Sequence, residues 1–248
     1  MLEGRDLCLA GRLDGVTAAL RPGEVTAICG PNGAGKSSLL ACLAGLLATN
    51  RGETLLGGEP LARHAPRERS RRIGYLPQTP EIAWDVSVET LVGLGRIPWS
   101  GVVGSEDEAA IDEAIAAMDL AELRHSPVSR LSGGERARAL TARVLAGRPQ
   151  WILADEPLAS LDLGHAASLL ARLRAQARDG AGVVLVLHDL AMAMNHADRV
   201  LVLDRGRLVA DGPPREALSE ATIGRVWGVA ARWLGDESMM ALALAGQA

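Results

Sequence analysis

Residues 25–38 read VTAICGPNGAGKSS, and the fold is decided here. Val25 to Cys29 is an apolar run with little alternation, the pattern of a strand buried on both faces. It runs into Gly30-Pro31-Asn32-Gly33-Ala34-Gly35-Lys36-Ser37, which satisfies G-x-x-x-x-G-K-[ST], and a helix is predicted from about Lys36 to Leu47. Glycines at these places let the backbone curl until several N–H groups point at one phosphate, and the helix N-terminus adds positive potential. Lys36 offers a point charge to β- and γ-phosphates, the Ser37 hydroxyl a ligand for Mg2+, and Ser38 a further phosphate contact. Composition singles out the same position. Of 26 basic residues all but one are arginine, and the exception is Lys36, where a planar fork would not replace a compact ammonium.

Working outward, residues 2–20 carry short strand patterns, and the turn Arg21-Pro22-Gly23-Glu24 leads into Val25. Glu53 to Leu56, Ile73 to Leu76, Trp151 to Ala154 and Val183 to Leu187 read as further strands. Val200 to Leu203, the turn Asp204-Arg205-Gly206 and Leu208 to Ala210 read as a hairpin. From Asp85 to about Ala146 the pattern turns helical. Acids follow Ser105, as in a capped first turn, and Ile111, Ile115, Met118 and Leu120 form an apolar face. Gly164 to Arg178 is a helix with Leu169, Leu170 and Leu173 inward. Buried strands alternating with helices predict an α/β domain over residues 1–236 with an all-helical insertion at about 79–134. Residues 237–248 are expected to be a tail, frayed or surface-packed after Ser238.

The chain has 248 residues, long for one compact domain and short for two, which fits one domain carrying a sub-domain. A net charge of −4 gives no basic surface for nucleic acid. No apolar run approaches the roughly 18–20 residues of a membrane span; Leu39 to Ala48 is the longest. The N-terminus MLEGRD has no signal-peptide pattern, so the chain is expected in the cytosol or held at a membrane by partners. Cys8, Cys29 and Cys42 fit no metal or disulfide spacing and read as reduced core residues.

Other residues carry chemistry. Trp151-Ile-Leu-Ala-Asp-Glu-Pro157 ends an apolar strand in two adjacent carboxylates. Neighbours on a strand point opposite ways, so Asp155 is expected to face a metal and Glu156 an attacking water. Leu131-Ser-Gly-Gly-Glu135 precedes a helix from about Arg136 to Ala146, leaving Ser132, Gly133 and Gly134 at a helix start with free N–H groups: a second anion site, or only a cap. Gln78 follows a strand and can reach a metal or water at the strand ends. His188 also follows a strand, where structural and chemical roles are both open. His64, His125, His165 and His196 form no constellation in the sequence.

Taken together these stretches resemble the ABC ATPases, a P-loop NTPase family. GPNGAGKS is similar to the family's Walker A, Gln78 to its Q-loop, LSGGE to its signature and WILADEP to its Walker B. Ala159-Ser160-Leu161-Asp162 is similar to its D-loop and His188 to its switch histidine, all in the family's order across residues 2–215. The resemblance implies a P-loop core with an antiparallel β sub-domain and an inserted helical sub-domain. It also implies ATP hydrolysis with Mg2+ in a head-to-tail dimer of two copies. Each ATP then lies between one copy's Walker A and the other's signature, Ser132 to Glu135. Glu156 would be the general base and His188 would orient the γ-phosphate and water. Asp155, Ser37 and Gln78 would serve Mg2+, and Asp162 would connect the two sites. SVETLVGLGRIPW and HDLAMAMNHADRVLVLDRGRLVADG are similar to the ATPases that import iron–siderophores, haem and cobalamin. Such subunits sit peripherally on the cytoplasmic face of the cell membrane, bound to integral-membrane permease subunits and, through them, to a substrate-binding protein. Trp84, Ile97 and Trp99 would either receive the permease's coupling helix or belong to the core.

Two features depart from the family pattern. Between Met1 and Glu24 there is no Tyr, Trp or Phe to stack on adenine, which leaves Leu9 or Arg12 to meet the base. Arg63, Arg67, Arg69, Arg71 and Arg72 form a basic cluster, either a solvated helix face or a contact for anionic lipid headgroups. A soluble assembly-factor ATPase would carry the same motifs. A chromosome-organising ATPase would separate Lys36 from Ser132 by a long coiled coil, and no heptads lie between them; an exporter stays open, although exporters commonly fuse this domain to membrane spans and no such run is present.

Overall fold

The computed structural model of the chain describes residues 1–78, 85–99, 105–159, 161–236 and 239–244. Trp84 and Ser160 lie outside the described residues. The first strands, β1 (Leu2–Leu9), β2 (Leu13–Leu20), β4 (Arg51–Leu56) and β5 (Glu59–Pro60), form an antiparallel sheet in the order β2-β1-β4-β5. Between them in sequence come β3 (Val25–Cys29) and α1 (Lys36–Leu43). After β5 follow α2 (Pro66–Arg72), β6 (Ile73–Leu76), α3 (Val88–Gly93), α4 (Ser105–Ala117), α5 (Gly133–Ala146), β7 (Trp151–Asp155), α6 (Leu163–Arg178), β8 (Gly182–Val186), α7 (Leu190–His196), β9 (Arg199–Asp204) and β10 (Arg207–Gly212). The chain ends in α8 (Pro214–Ala217), α9 (Glu220–Trp227), β11 (Ala231–Gly235) and β12 (Met240–Leu244).

The second sheet runs β10-β9-β3-β8-β7-β6, parallel except for β10. Its central strands are buried along their whole length because both faces are covered. Successive side chains divide between two cores. Ile28, Trp151, Leu153, Val184 and Val186 join the antiparallel sheet's Leu2, Leu7, Leu20 and Leu56 on one face. Val25, Ala27, Ile152, Ala154, Val183 and Leu185 face Leu91, Ile115, Met118, Leu140 and Leu169 on the other. The helical segment therefore shares a core with the sheet. Asp198 fixes the start of β3, accepting from the Val25 N–H at 2.8 Å and from Arg174 at 2.6 Å.

Three expectations about elements are corrected or narrowed. The helix after the glycine-rich loop stops at Leu43 rather than near Leu47, because Gly45 turns left-handed (φ +70°). Of the two readings of the tail, residues 240–244 follow the surface-packed one. They pair with β11, and Asn195 pins them by donating to the Met240 carbonyl and accepting from its N–H, both at 2.8 Å. The arginines of α2 are not simply a solvated face. Arg67 and Arg71 both donate to the Pro98 carbonyl, at 2.7 and 2.8 Å, tying α2 to the 3-10 turn Leu94–Trp99. Arg71 and Arg96 flank the Trp99 ring at 4.8 and 5.0 Å from its centroid, and Trp99 Nε1 donates to Gly147. Trp99 is thus a packed joint with an exposed edge, while Ile97 is 60% exposed. No helix of the described residues is long and apolar enough to cross a membrane.

Candidate functional site

The loop between β3 and α1 opens a cleft of about 790 Å3 at the C-terminal ends of the parallel strands. Its walls are Gly11, Arg12, Asn32, Gly33, Gly35, Lys36, Ser37, Ser38, Gln78, Glu156 and His188. Gly30 and Gly35 make the loop possible. Both have positive φ, and a Cβ would stand 2.2 Å from the Leu203 carbonyl oxygen at the first and 2.5 Å from that of Arg12 at the second. The Ala34 N–H donates to Pro31 and the Gly206 N–H to Ala34, which closes the curl. No side chain caps α1, so its first N–H groups stay available to an anion.

Lys36 is buried, and its Nζ donates to the carbonyls of Gly30 and Pro31, each at 2.9 Å. Burial pushes its pKa down, opposed by Glu156, Cys29 and Asp155 nearby. Ser37 Oγ donates to Asp155 Oδ1 at 3.0 Å. Asp155 is buried at the end of β7, and that burial raises its carboxyl pKa against the pull of the Ser37 bond.

Glu156 gathers the remaining groups. Gln78 Nε2 donates to Glu156 Oε2 at 2.6 Å, and His188 Nε2 meets Glu156 Oε1. Simple strand alternation does not explain this carboxylate. β7 ends at Asp155, and Glu156 adopts φ +51°, a left-handed conformation rare outside glycine. The reversal brings the Glu156 carboxylate into the cleft, while Asp155 stays buried against Ser37 at its floor. His188 follows β8, and Asp189 behind it caps α7, accepting from the N–H groups of Ala191 and Met192. Arg12 lines the cleft, whereas Leu9 packs with the core of the antiparallel sheet. Arg12 is therefore the wall residue of the two expected to meet a base.

The LSGGE residues and Asp162 do not line this cleft. Ser132 caps α5 in a closed box. Its hydroxyl accepts from the Glu135 N–H at 3.3 Å, and Glu135 Oε2 accepts from the Ser132 N–H and hydroxyl at 2.8 Å each. These bonds hold the Glu135 carboxyl below its ordinary pKa. Gly133 and Gly134 form the first turn, with their backbone at the helix N-terminus. Asp162 caps α6 and is bonded to His165, which depresses its pKa as well. His165, unassigned by sequence, thus belongs to a constellation after all. Its i+3 spacing from Asp162 was the only linear signal.

The family model described as ABC transporter matches residues 13–159. The chain is 46% identical over 222 residues to the hemin import ATP-binding protein HmuV of Streptomyces coelicolor, covering 88% of this chain and 79% of that protein. Among solved structures, cbiO1 of Clostridium perfringens, part of the ABC transporter complex cbiONQ, superposes with a TM-score of 0.78 at 28% identity, over 90% of this chain and 92% of the other. An ATP-binding cassette solved as a dimer in a post-hydrolysis state with ADP and Pi superposes with a TM-score of 0.77 at 24% identity, over 87% and 99%, a likeness of fold.

Proposed function

The chain belongs to the ABC transporter family of ATP-hydrolysing subunits, and on that premise we propose that it powers an importer for an iron–siderophore, haem or cobalamin-type substrate. The relatives named for hemin import favour haem within that class. One observation carries the catalytic reading: Gln78 and His188 converge on the Glu156 carboxylate in the cleft lined by Lys36 and by Ser37, which bonds to Asp155.

In this reading Lys36 and the loop N–H groups receive the β- and γ-phosphates of ATP. Ser37 and Asp155 already bring two hard oxygens together, and Gln78 lines the cleft beside Ser37, a set that suits Mg2+ with its preference for few protein ligands plus phosphate and water. Bound there, Mg2+ would neutralise charge on the phosphate oxygens. Glu156 accepts the proton of the attacking water, and His188 orients that water and the γ-phosphate. Ser132, Gly133 and Gly134 do not line the cleft of their own chain, so in this reading their anion site serves a second copy packed head to tail, with Glu135 as the cap that shapes it and Asp162 reaching across. The exposed Leu46, Leu94 and Ile97, around a cleft of about 580 Å3 beside Gly74 and Tyr75, receive the permease subunits, through which the substrate-binding protein is sensed. The chain thereby sits on the cytoplasmic face of the membrane.

Glu156→Gln tests this. Glutamine keeps the shape but cannot accept a proton, so turnover stops while ATP binding persists, and a closed dimer should accumulate on size-exclusion chromatography with MgATP. Adding Ser132→Arg should dissolve that dimer. A Glu156→Gln protein that stays monomeric at saturating ATP, alone and with its permease, would overturn the head-to-tail arrangement.

A further inference from the structure

His165 lies outside the ATP cleft and has no part in the reaction described above. Its contacts join two elements that are distant in sequence. Asp162 Oδ1 accepts from the His165 N–H and Asp162 Oδ2 meets His165 Nδ1, each at 2.8 Å. A local cap would need only the first of these bonds. The imidazole also lies against the first turn of α5: a Cβ on Gly134 would stand 3.2 Å from its Cγ and 3.3 Å from its Cδ2 and Nδ1. One side of the ring holds the D-loop carboxylate, and another abuts the glycine backbone of the signature turn.

These are the two surfaces that a subunit presents to its partner's nucleotide in the head-to-tail dimer, and the inference rests on that reading. They are built on different parts of the chain. α5 packs with α3, α4 and the edge strand β6, whereas α6 packs on the inner strands β8 and β3. Any sliding between those parts would alter the spacing of Gly134 from Asp162. We propose that His165 is a positioning residue that locks the signature turn and Asp162 into one unit, so that both meet the partner's ATP together. Holding two groups in their reactive arrangement before association removes an ordering cost from the closed state. His165 does not line the cleft of its own Walker A loop, so it should affect closure and turnover without affecting ATP binding to the single chain.

Three variants separate the two contacts. His165→Asn keeps a donor for Asp162 but loses the ring against Gly134. His165→Phe keeps the ring but loses the bond, and His165→Ala loses both. In the Glu156→Gln background, the ATP concentration for half-maximal dimer, read by light scattering, should rise about tenfold for His165→Ala and less for the other two. In the otherwise unaltered chain kcat should fall about tenfold for His165→Ala, while a fluorescent ATP analogue binds the monomer within about twofold of the parent. Full restoration by His165→Asn would reduce His165 to a local cap and overturn the proposal. Monomer affinity falling in parallel with closure would also overturn it, because the effect would then be general loss of structure. If Glu156→Gln alone does not dimerise with ATP, the dimer reading fails and this inference with it, an outcome distinct from an unshifted midpoint in a chain that does dimerise.

Discussion

Replacing Lys36 by arginine keeps the charge and should still cripple nucleotide binding. The Nζ occupies a pocket set by two backbone oxygens, Gly30 O and Pro31 O, at 2.9 Å each, and only 6% of the residue is exposed. A guanidinium is larger, planar and fixed in its donor directions, so it cannot put one atom where the ammonium sits. Forcing extra atoms into a filled site costs about 1–3 kcal/mol, and losing one charge-assisted bond to phosphate costs about 1.5–3 kcal/mol. Even partial addition gives about 2–4 kcal/mol, a loss of roughly thirtyfold to a thousandfold in ATP affinity. Lys36→Ala should lose a similar amount through the missing charge, without the overpacking. Isothermal titration with MgATP, alongside a thermal melt to establish folding, measures both. Lys36→Arg binding within about threefold of the parent would refute the argument, since that is under 1 kcal/mol.

Three further outcomes are expected. Without an aromatic ring against the base, a contribution of about 1–3 kcal/mol is missing, so GTP should be hydrolysed within about tenfold of ATP in a competition assay; a preference beyond a hundredfold would mean that Arg12 or another residue reads adenine. Asp155→Asn should abolish turnover yet raise the melting temperature of the nucleotide-free protein by about 2–4 °C at neutral pH. Burial holds the Asp155 carboxyl pKa up, so the folded state resists ionisation and the parent loses stability as pH rises through that raised value; the gap should therefore vanish below the ordinary carboxylate range. Finally, burial pushes the Cys29 thiol up to about 12 and raises Cys42 as well, so a thiol reagent at pH 8 should label only the half-buried Cys8 until denaturant is added.

What could be read directly from the chain was local. The strand, loop and helix from Val25 onward follow from hydrophobic runs and glycine placement over a dozen residues, and β6 falls where Ile73 to Leu76 predicts it. Glu156 shows where such reading fails. Alternation along a strand puts Asp155 and Glu156 on opposite sides, but the strand stops first and a left-handed residue redirects the second carboxylate. No residue type announces a positive φ at a glutamate, because the surrounding fold imposes it. β12 was obscured for a related reason. Met, Ala and Leu carry weak strand preference, and the segment is ordered by β11 and Asn195, a partner 45 positions away. His165 and Gly134 meet only because α5 and α6 are brought together by the shared core, which no spacing rule encodes.

The groups proposed for catalysis are bonded to one another within the chain. Glu156 accepts from Gln78 and is paired with His188, Ser37 bonds to Asp155, and Lys36 bonds to its own loop. Every one of these bonds must be exchanged for phosphate, cation or water before Glu156 can take a proton from water, and the exchange is near neutral only if the incoming ligands make equivalent bonds. ATP supplies part of that set. The groups proposed to complete it, the backbone N–H groups and hydroxyl at the start of α5, do not line the cleft of the same chain and in the proposed dimer come from a second copy. A single chain with bound ATP therefore lacks stabilisation at the γ-phosphate and should hydrolyse slowly. Closure of two chains supplies it, and this makes hydrolysis depend on the relative position of the subunits. In the proposed arrangement membrane partners docked beside Leu94 and Ile97 would control that position, and a site divided between two copies would couple ATP turnover to transport.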